Sequence, residues 1–579
     1  MPFSSFNPEF ALGARFLFLL NLAGLFFLKG GRTPAGLTLY HVLSLAAFLI
    51  LQINPGLKNF PKNNIFWFLL TLLTAWSLST LIDWPGPRGL EHGSTMAIHA
   101  LNFFTAILLC DSDFSRRILK MVLMGSGLMA APILAKEILP FNFHSTLLLP
   151  NTNLEADFMN CGLLILAAFL TSLGDPLKRK AAITIFILLF SGYVFLFSRG
   201  AFLALLSGLT VLFASDWKRA ARVFLYSLVL FLLFFNVPRI RDSWASKIGV
   251  PGDRVTVWKG ALKAWKQRPL LGWGLGGFER AYKIHRVPME SDIGRYEKTT
   301  AFAHNEYLQI AVETGLLGLL AWLAFIFALM KKGFATARRD PSKWETTAAL
   351  ACLVMFLAHA AIDFNLHLPI IGFLFSIFAA LLIKEQSPQE AIGFGKKGLI
   401  PILSLWLLAS LYALLSLGQK ETARAVRLNP FSRELLEKLI RLPDTDENFS
   451  AARSALPWHL KEDRIFAYLA RSYFKRAQME ESEAAYQKAI ENNPKNPFYL
   501  TELADLYLGQ KKLREAFPLY LRALELEPFY LHPRAQMANI LAVGGKKEEA
   551  FAALQDIRKI QEKKLPANSE YTQRLLNRL

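Results

Sequence analysis

Charge is scarce in this sequence. Asp, Glu, Lys and Arg make up 19% of its 579 residues, against about 25% in an average soluble domain. Acidic residues are the scarcer kind, 45 against 65 Lys and Arg, for a formal charge of +20. Cysteine is nearly missing: Cys110, Cys161 and Cys352 all sit in apolar stretches, without CxxC or paired spacing. These shortages exclude a disordered chain, a coiled coil and a disulfide scaffold. What is plentiful is apolar, 53% of the residues, with a mean hydropathy of +0.30.

The scarcity of charge is uneven. Residues 419–579 hold 49 of the charged side chains, about 30% of that stretch and ordinary for a soluble domain. Residues 1–418 hold the other 61, about 15%. The sequence therefore predicts an all-α polytopic membrane part, 1–418, followed by a soluble helical part, 419–579. Apolar runs near the 20 residues that a spanning helix needs lie around 11–28, 35–53, 64–82, 94–110, 116–136, 157–174, 181–197, 199–214, 220–236, 306–330, 347–365, 367–383 and 399–417. That is about 12–13 spans, since several runs nearly merge. The first lacks a basic leader and a small-residue cleavage site, so it reads as a retained helix. With the N-terminus inside, the inner short loops hold 19 Lys/Arg and the outer ones 5, the bias of a multi-pass cytoplasmic-membrane protein. The outer segment 237–305 and, with thirteen spans, the C-terminal part then lie outside that membrane. The basic charge is topological and does not imply nucleic acid.

Residues 464–565 repeat with a period of 34. Leu469-Ala470 recurs as Leu503-Ala504 and Met537-Ala538, Tyr486 as Tyr520, and Pro494 as Pro528. This resembles the tetratricopeptide repeat, whose helix pairs stack into a solenoid. It predicts an interaction or positioning module.

Chemistry in such a protein shows itself as costly polar groups in or beside apolar spans. Ser198-Arg199-Gly200-Ala201 joins two apolar runs, and a guanidinium suits phosphate oxygens; a snorkelling arginine is the plain alternative. Arg254 opens a stretch in which Val255, Trp258, Leu262 and Trp265 share a face, predicting a helix lying in the membrane interface. Segment 237–304 carries 13 Lys/Arg and 6 Asp/Glu, a field that favours an anion. Pro269-Leu-Leu-Gly272-Trp-Gly274 reads as a glycine turn, not a dinucleotide fingerprint. His304-Asn305-Glu306 opens a span whose Asn305, Gln309 and Glu313 fall on one stripe, and an ordinary imidazole, titrating near pH 6.5, suits proton transfer. His359, Asp363, Asn365 and His367 form a further outward polar group.

Together these motifs resemble the O-antigen ligase and polymerase family, over roughly 180–375. The resemblance rests on Ser198-Arg199-Gly200-Ala201, Arg254 before Trp258, Pro269-Leu-Leu-Gly272-Trp-Gly274, His304-Asn305 with Glu313-Thr314-Gly315, and Asp363-Phe364-Asn365-Leu366-His367. It implies a metal-independent glycosyltransferase without cofactor. Such an enzyme moves a glycan from an undecaprenyl-diphosphate carrier to an acceptor hydroxyl, on lipid A–core in ligases and on another carrier-linked repeat in polymerases. It also implies two arginines and a histidine as the essential set, matched here by Arg199, Arg254 and His304. Arg239, Arg241, Arg280 and Arg286 compete for the second place. Asn305, Glu306, Glu313, Asp363 and His367 are expected in support. The expected partners are the carrier-linked glycan, its acceptor, the membrane and a protein held by the repeats. An anion transporter and a non-catalytic assembly scaffold are the alternative readings.

Overall fold

The computed structural model describes residues 8–577, apart from short breaks at 54–59, 63, 83–85, 139–148, 150, 197, 340–342, 384–389, 393–395 and 564, and nearly all of 216–251. The expected ninth span, and the start of the outer segment with Arg239 and Arg241, fall outside the described residues.

The membrane part is a helical bundle. Six described helices are long and apolar enough to cross a membrane, and four shorter apolar helices accompany them. The chain is thus a multi-pass membrane protein. Two helices form its centre. Thr152–Ser172 starts at Asn151, whose side-chain oxygen caps the Leu154 N–H at 2.8 Å, and it is buried continuously from Leu154 to Ala168. Pro369–Ile383 is buried along its whole length. Pro369–Ile383 is apolar nearly all round, as a helix surrounded by other helices must be, while Thr152–Ser172 adds the buried polar Glu155, Asp157 and Asn160. The peripheral Pro8–Phe27 helix instead exposes Leu12, Phe16, Leu20 and Phe27, an outward face suited to lipid.

The two ends of the bundle differ. At one end Arg15 bonds the Leu109 carbonyl and pairs with Asp111, Arg116 pairs with Glu345 at 2.7 Å, and Phe60–Lys62 forms a three-residue antiparallel pair with Glu390–Ile392. At the other end the segment 252–305 covers the helix mouths, and the C-terminal helices sit on that segment.

The repeats form three helix pairs: Asp463–Lys475 with Met479–Asn492, Pro497–Gly509 with Leu513–Leu526, and Leu531–Val543 with Lys547–Glu562. The recurring Ala470, Ala504 and Ala538 are buried where small residues let helices meet, and Glu570–Asn577 follows the third pair. Short helices Thr422–Leu428, Arg433–Leu439 and Asp446–Ala455 link the pairs to the last apolar helix.

The solenoid holds the outer segment through buried polar contacts. Lys283 Nζ lies 2.7 Å from both Asp463 Oδ1 and Glu279 Oε1, and all three side chains are buried. Arg286 donates to the Lys495 carbonyl, and Lys495 donates back to that of Arg286. Glu527, fully buried, accepts the N–H of Gly294 at 3.1 Å and of Tyr296 at 2.9 Å, and the Tyr571 hydroxyl. Ile293 enters an apolar cluster with Phe498, Tyr530 and Leu575. Lys283 and Arg286, counted in the charge of the outer segment that favours an anion, are therefore buried in a joint with the repeats.

Candidate active site

The site is assembled where five chain segments meet at the mouth of the bundle. Its frame is an interlock between the glycine turn and the Glu306–Arg339 helix. That helix breaks at Gly315 (φ 66°, ψ −167°). The break frees two N–H groups, and the turn supplies their acceptors: Leu316 donates to the Pro269 carbonyl and Leu317 to that of Leu270, while Trp273 donates to the Val312 carbonyl. Ser79 hydroxyl bonds the Leu271 and Glu313 carbonyls at 2.6 and 2.8 Å. A Cβ on Gly315 would stand 2.2 Å from the Leu270 carbonyl carbon, and one on Gly272 2.4 Å from the Glu313 oxygen. The Pro269–Gly274 and Glu313-Thr314-Gly315 motifs are thus two halves of one joint.

His304 sits just before this helix with φ 51°, a conformation uncommon outside glycine. Asn305 caps the helix through its side-chain oxygen to the Leu308 N–H at 2.9 Å, and Gln309 bonds the Ala303 N–H and Glu313. These contacts hold the His304 backbone in place. Its Nδ1 lies 3.2 Å from Asp363 Oδ1, and its ring meets Phe364 edge-on.

Asp363 is the hub. It also accepts from Asn153 at 2.5 Å and from the Phe364 N–H at 2.9 Å, and Arg254 lies 3.9 Å from its other oxygen. Burial would raise this carboxyl. The His304 hydrogen bond, the nearby imidazoles and the Phe364 N–H outweigh it and bring the group down to about 2. Asn153 in turn accepts from Ser198 hydroxyl at 2.8 Å, so the residue beside Arg199 joins the same network. Gly200 packs on His359: a Cβ there would stand 2.9 Å from Nε2. His359 is held by Asp157 at 2.6 Å, and Asn365 donates to the other Asp157 oxygen.

Both arginines stand at helix N-termini. Arg199 begins the Arg199–Ser215 helix and is exposed; Arg254 is the third residue of Gly252–Gln267, with 43% of its side chain exposed. A helix N-terminus is positive and repels a cation. A guanidinium at the positive end of a helix is an arrangement that suits an anion. Of the competing arginines, Arg280 faces Asn492 and Arg286 the Lys495 carbonyl, both in the solenoid joint. The Gly252–Gln267 helix buries its small face, Val257, Ala261 and Ala264, and leaves Val255 and Leu262 exposed beside Lys259, Lys263 and Lys266.

Glu306 and Glu313 lie apart from His304's carboxylate contact. Glu306 takes His367 Nδ1 at 2.8 Å on both oxygens; burial opposes protonation of His367, and the Glu306 carboxylate overcomes it and raises the imidazole. Glu313 is buried beside His367 and His92, and one ligand atom from each of these three lies within 4.8 Å of the others. Asn153, Asp157 and His92 are the participants that the motif reading omitted. Each is a polar residue at or inside an apolar run, a signal that the sequence did carry.

Residues 184–323 match the O-antigen ligase family. The ligase-like region contains both arginines, the glycine joint and His304, and stops short of Asp363. Residues 485–517 match the tetratricopeptide repeat. No curated protein matches the chain. The crystal structure of MamA matches at 13% identity over 30% of this chain and 97% of that one, with a TM-score of 0.23, too slight a superposition to bear on function. The membrane part is thus similar to the membrane glycan transferases of the ligase and polymerase family.

Proposed function

We propose that the protein moves a glycan from an undecaprenyl-diphosphate carrier to an acceptor hydroxyl, lipid A–core in the favoured reading, on the outer face of a bacterial cytoplasmic membrane. The observation that carries this is the His304–Asp363–Arg254 contact at the helix N-termini of the ligase-like region.

With Nδ1–H directed at Asp363, Nε2 of His304 is left to accept a proton. The acceptor hydroxyl gives its proton to Nε2 as its oxygen attacks the anomeric carbon. The bond from that carbon to the phosphate oxygen breaks, and the electron pair leaves with the diphosphate. Arg199, Arg254 and the two helix N-termini stabilise the departing charge, where fixed dipoles contribute most. Asp363 fixes the ring orientation and stabilises the imidazolium, as the third group of a base relay does. The displacement inverts the anomeric centre, and no step passes through a metal. Exposed Val255 and Leu262, with lysines between them, give the Gly252–Gln267 helix a face suited to lying at the membrane surface beside the reaction.

The test is transfer by the purified full chain from a diphosphate-linked glycan, offered lipid A–core or a second carrier-linked glycan. Capped lipid A–core supports the ligase reading. Longer carrier-linked chains move the assignment to a polymerase. No covalent product with either acceptor removes the transferase reading.

A further inference from the structure

We infer that His92, Glu313 and His367 form a binding site for one divalent metal ion of the zinc class. The site uses none of His304, Asp363, Arg199 and Arg254. The three residues come from separate elements: the Pro87–Leu109 helix, the turn of Glu306–Arg339 just before its Gly315 break, and the loop between the Trp344–Ala360 and Pro369–Ile383 helices. One ligand atom from each lies within 4.8 Å of the other two. Around tetrahedral zinc, with bonds of about 2.0–2.1 Å, such atoms stand roughly 3.4 Å apart. Movements of about an ångström therefore close the set. The rings of His92 and His367 already meet edge-on, at 61° with centroids 5.3 Å apart.

The surroundings are those of a metal site. Glu306 holds Nδ1 of His367 with both oxygens, which leaves Nε2 as the nitrogen to ligate. This carboxylate–histidine arrangement orients ligands in metalloproteins. Gln309 donates to Glu313 Oε1 at 2.8 Å and fixes that carboxylate. His92 stacks on Phe302 at 3° between planes, and its Nδ1 is buried without a hydrogen-bond partner. Buried polar atoms are normally satisfied, so this nitrogen calls for a partner. Charge points the same way. Glu306 and Glu313 are both buried, and among the described residues neither has a Lys or Arg ion pair. A dication balances two carboxylates. Two imidazoles and one carboxylate, with a fourth position open, is a recurrent zinc set. The cluster borders a largely apolar cleft with about 90 Å³ open to water, which leaves room for a water as fourth ligand. Such an ion would tie the loop carrying Asp363 to the glycine joint, and so position the transfer centre without touching substrate.

The experiment uses the full chain in detergent, stripped by a chelator and then given zinc chloride or cobalt chloride alone. The expected result is one equivalent per chain retained after desalting. Zinc-edge X-ray absorption should show two imidazoles in a nitrogen/oxygen shell at about 2.0–2.1 Å. His92→Ala and Glu313→Gln should each lose the ion, and Glu306→Gln should weaken retention about 10–100-fold. His304→Ala should retain it in full, so failure of the transfer scheme and failure of the metal site read out separately. No retained metal in the wild-type chain overturns the inference. So does an equal equivalent in His92→Ala, or a shell without two imidazoles. The absorption spectrum needs no variant, so it decides the matter even if His92→Ala does not fold.

Discussion

Nδ1 of His304 and Oδ1 of Asp363 lie 3.2 Å apart although 59 residues separate them in sequence. One residue opens a long apolar helix and the other lies in the loop between two more, so the contact forms only when the bundle has closed. His304→Ala should lower transfer about 10²–10⁴-fold, the usual contribution of a positioned base. Asp363→Asn should lower it while the protein still inserts. The check is initial rate against protein incorporated into vesicles. An Asp363→Asn chain at full activity removes Asp363 from the relay.

The two arginine groups should separate by phenotype. Arg254→Ala, and Arg254→Lys to a lesser degree, should reduce transfer about 10²–10³-fold, as loss of one fixed donor to a growing oxyanion does. Arg280→Ala removes a contact with Asn492 in the solenoid joint and should leave transfer within a few-fold. Parallel rate measurements decide, and equal losses would contradict the assignment of Arg254.

Gly315→Ala should destabilise the membrane part. The backbone conformation alone costs an L-residue about 1–3 kcal/mol, and the new Cβ meets the Leu270 carbonyl at 2.2 Å. Thermal unfolding in detergent should show a lowered midpoint, and transfer should fall with it, because the joint carries the start of the His304 helix.

The solenoid joint should respond to acid in a defined direction. Asp463 is fully buried. Burial raises it, but the Lys283 charge and hydrogen bond prevail and hold it down at about 2. Its folded value is below its unfolded one, so its stabilisation is complete above about pH 4 and drains away as pH falls toward 2. Lys283 is opposed by burial and raised by Asp463 and Glu279. Its contribution holds below the ordinary lysine range and is lost only as pH rises beyond it. Around Asp463 and Lys283 the joint should therefore change little near neutral pH and loosen in acid, as read by hydrogen exchange at residues 463–475. Asp463→Ala leaves Lys283 with one fewer partner in a buried place, at a cost of about 3–5 kcal/mol, and should expose the linker to protease at neutral pH.

The parts legible in the sequence are those that one stretch decides alone. Apolar runs announce helices, a 34-residue period announces stacked pairs, and an arginine or histidine beside an apolar run is conspicuous. Arg199, Arg254 and His304 stood out for that reason. What stayed hidden depends on segments that meet only in the fold. Asp157 and His359 are 202 residues apart, and Asn153 and Asp363 210. The burial of Lys283 and Arg286 was hidden because nothing nearby in sequence reveals the carboxylates and the carbonyl that hold them. Glu313 shares the helical stripe of Asn305 and Gln309, and Gln309 bonds it, but Asn305 instead caps the Leu308 N–H.

The seating of residues 283–296 against the repeats has a consequence for anyone recombining such proteins. A hybrid joining this membrane half to a relative's repeats would leave Lys283 facing a foreign surface and the Gly294 and Tyr296 amides without Glu527. The two halves are therefore not interchangeable cassettes. An exchange must transplant the strap together with its cradle, or start from a tail whose grip has been rebuilt to match.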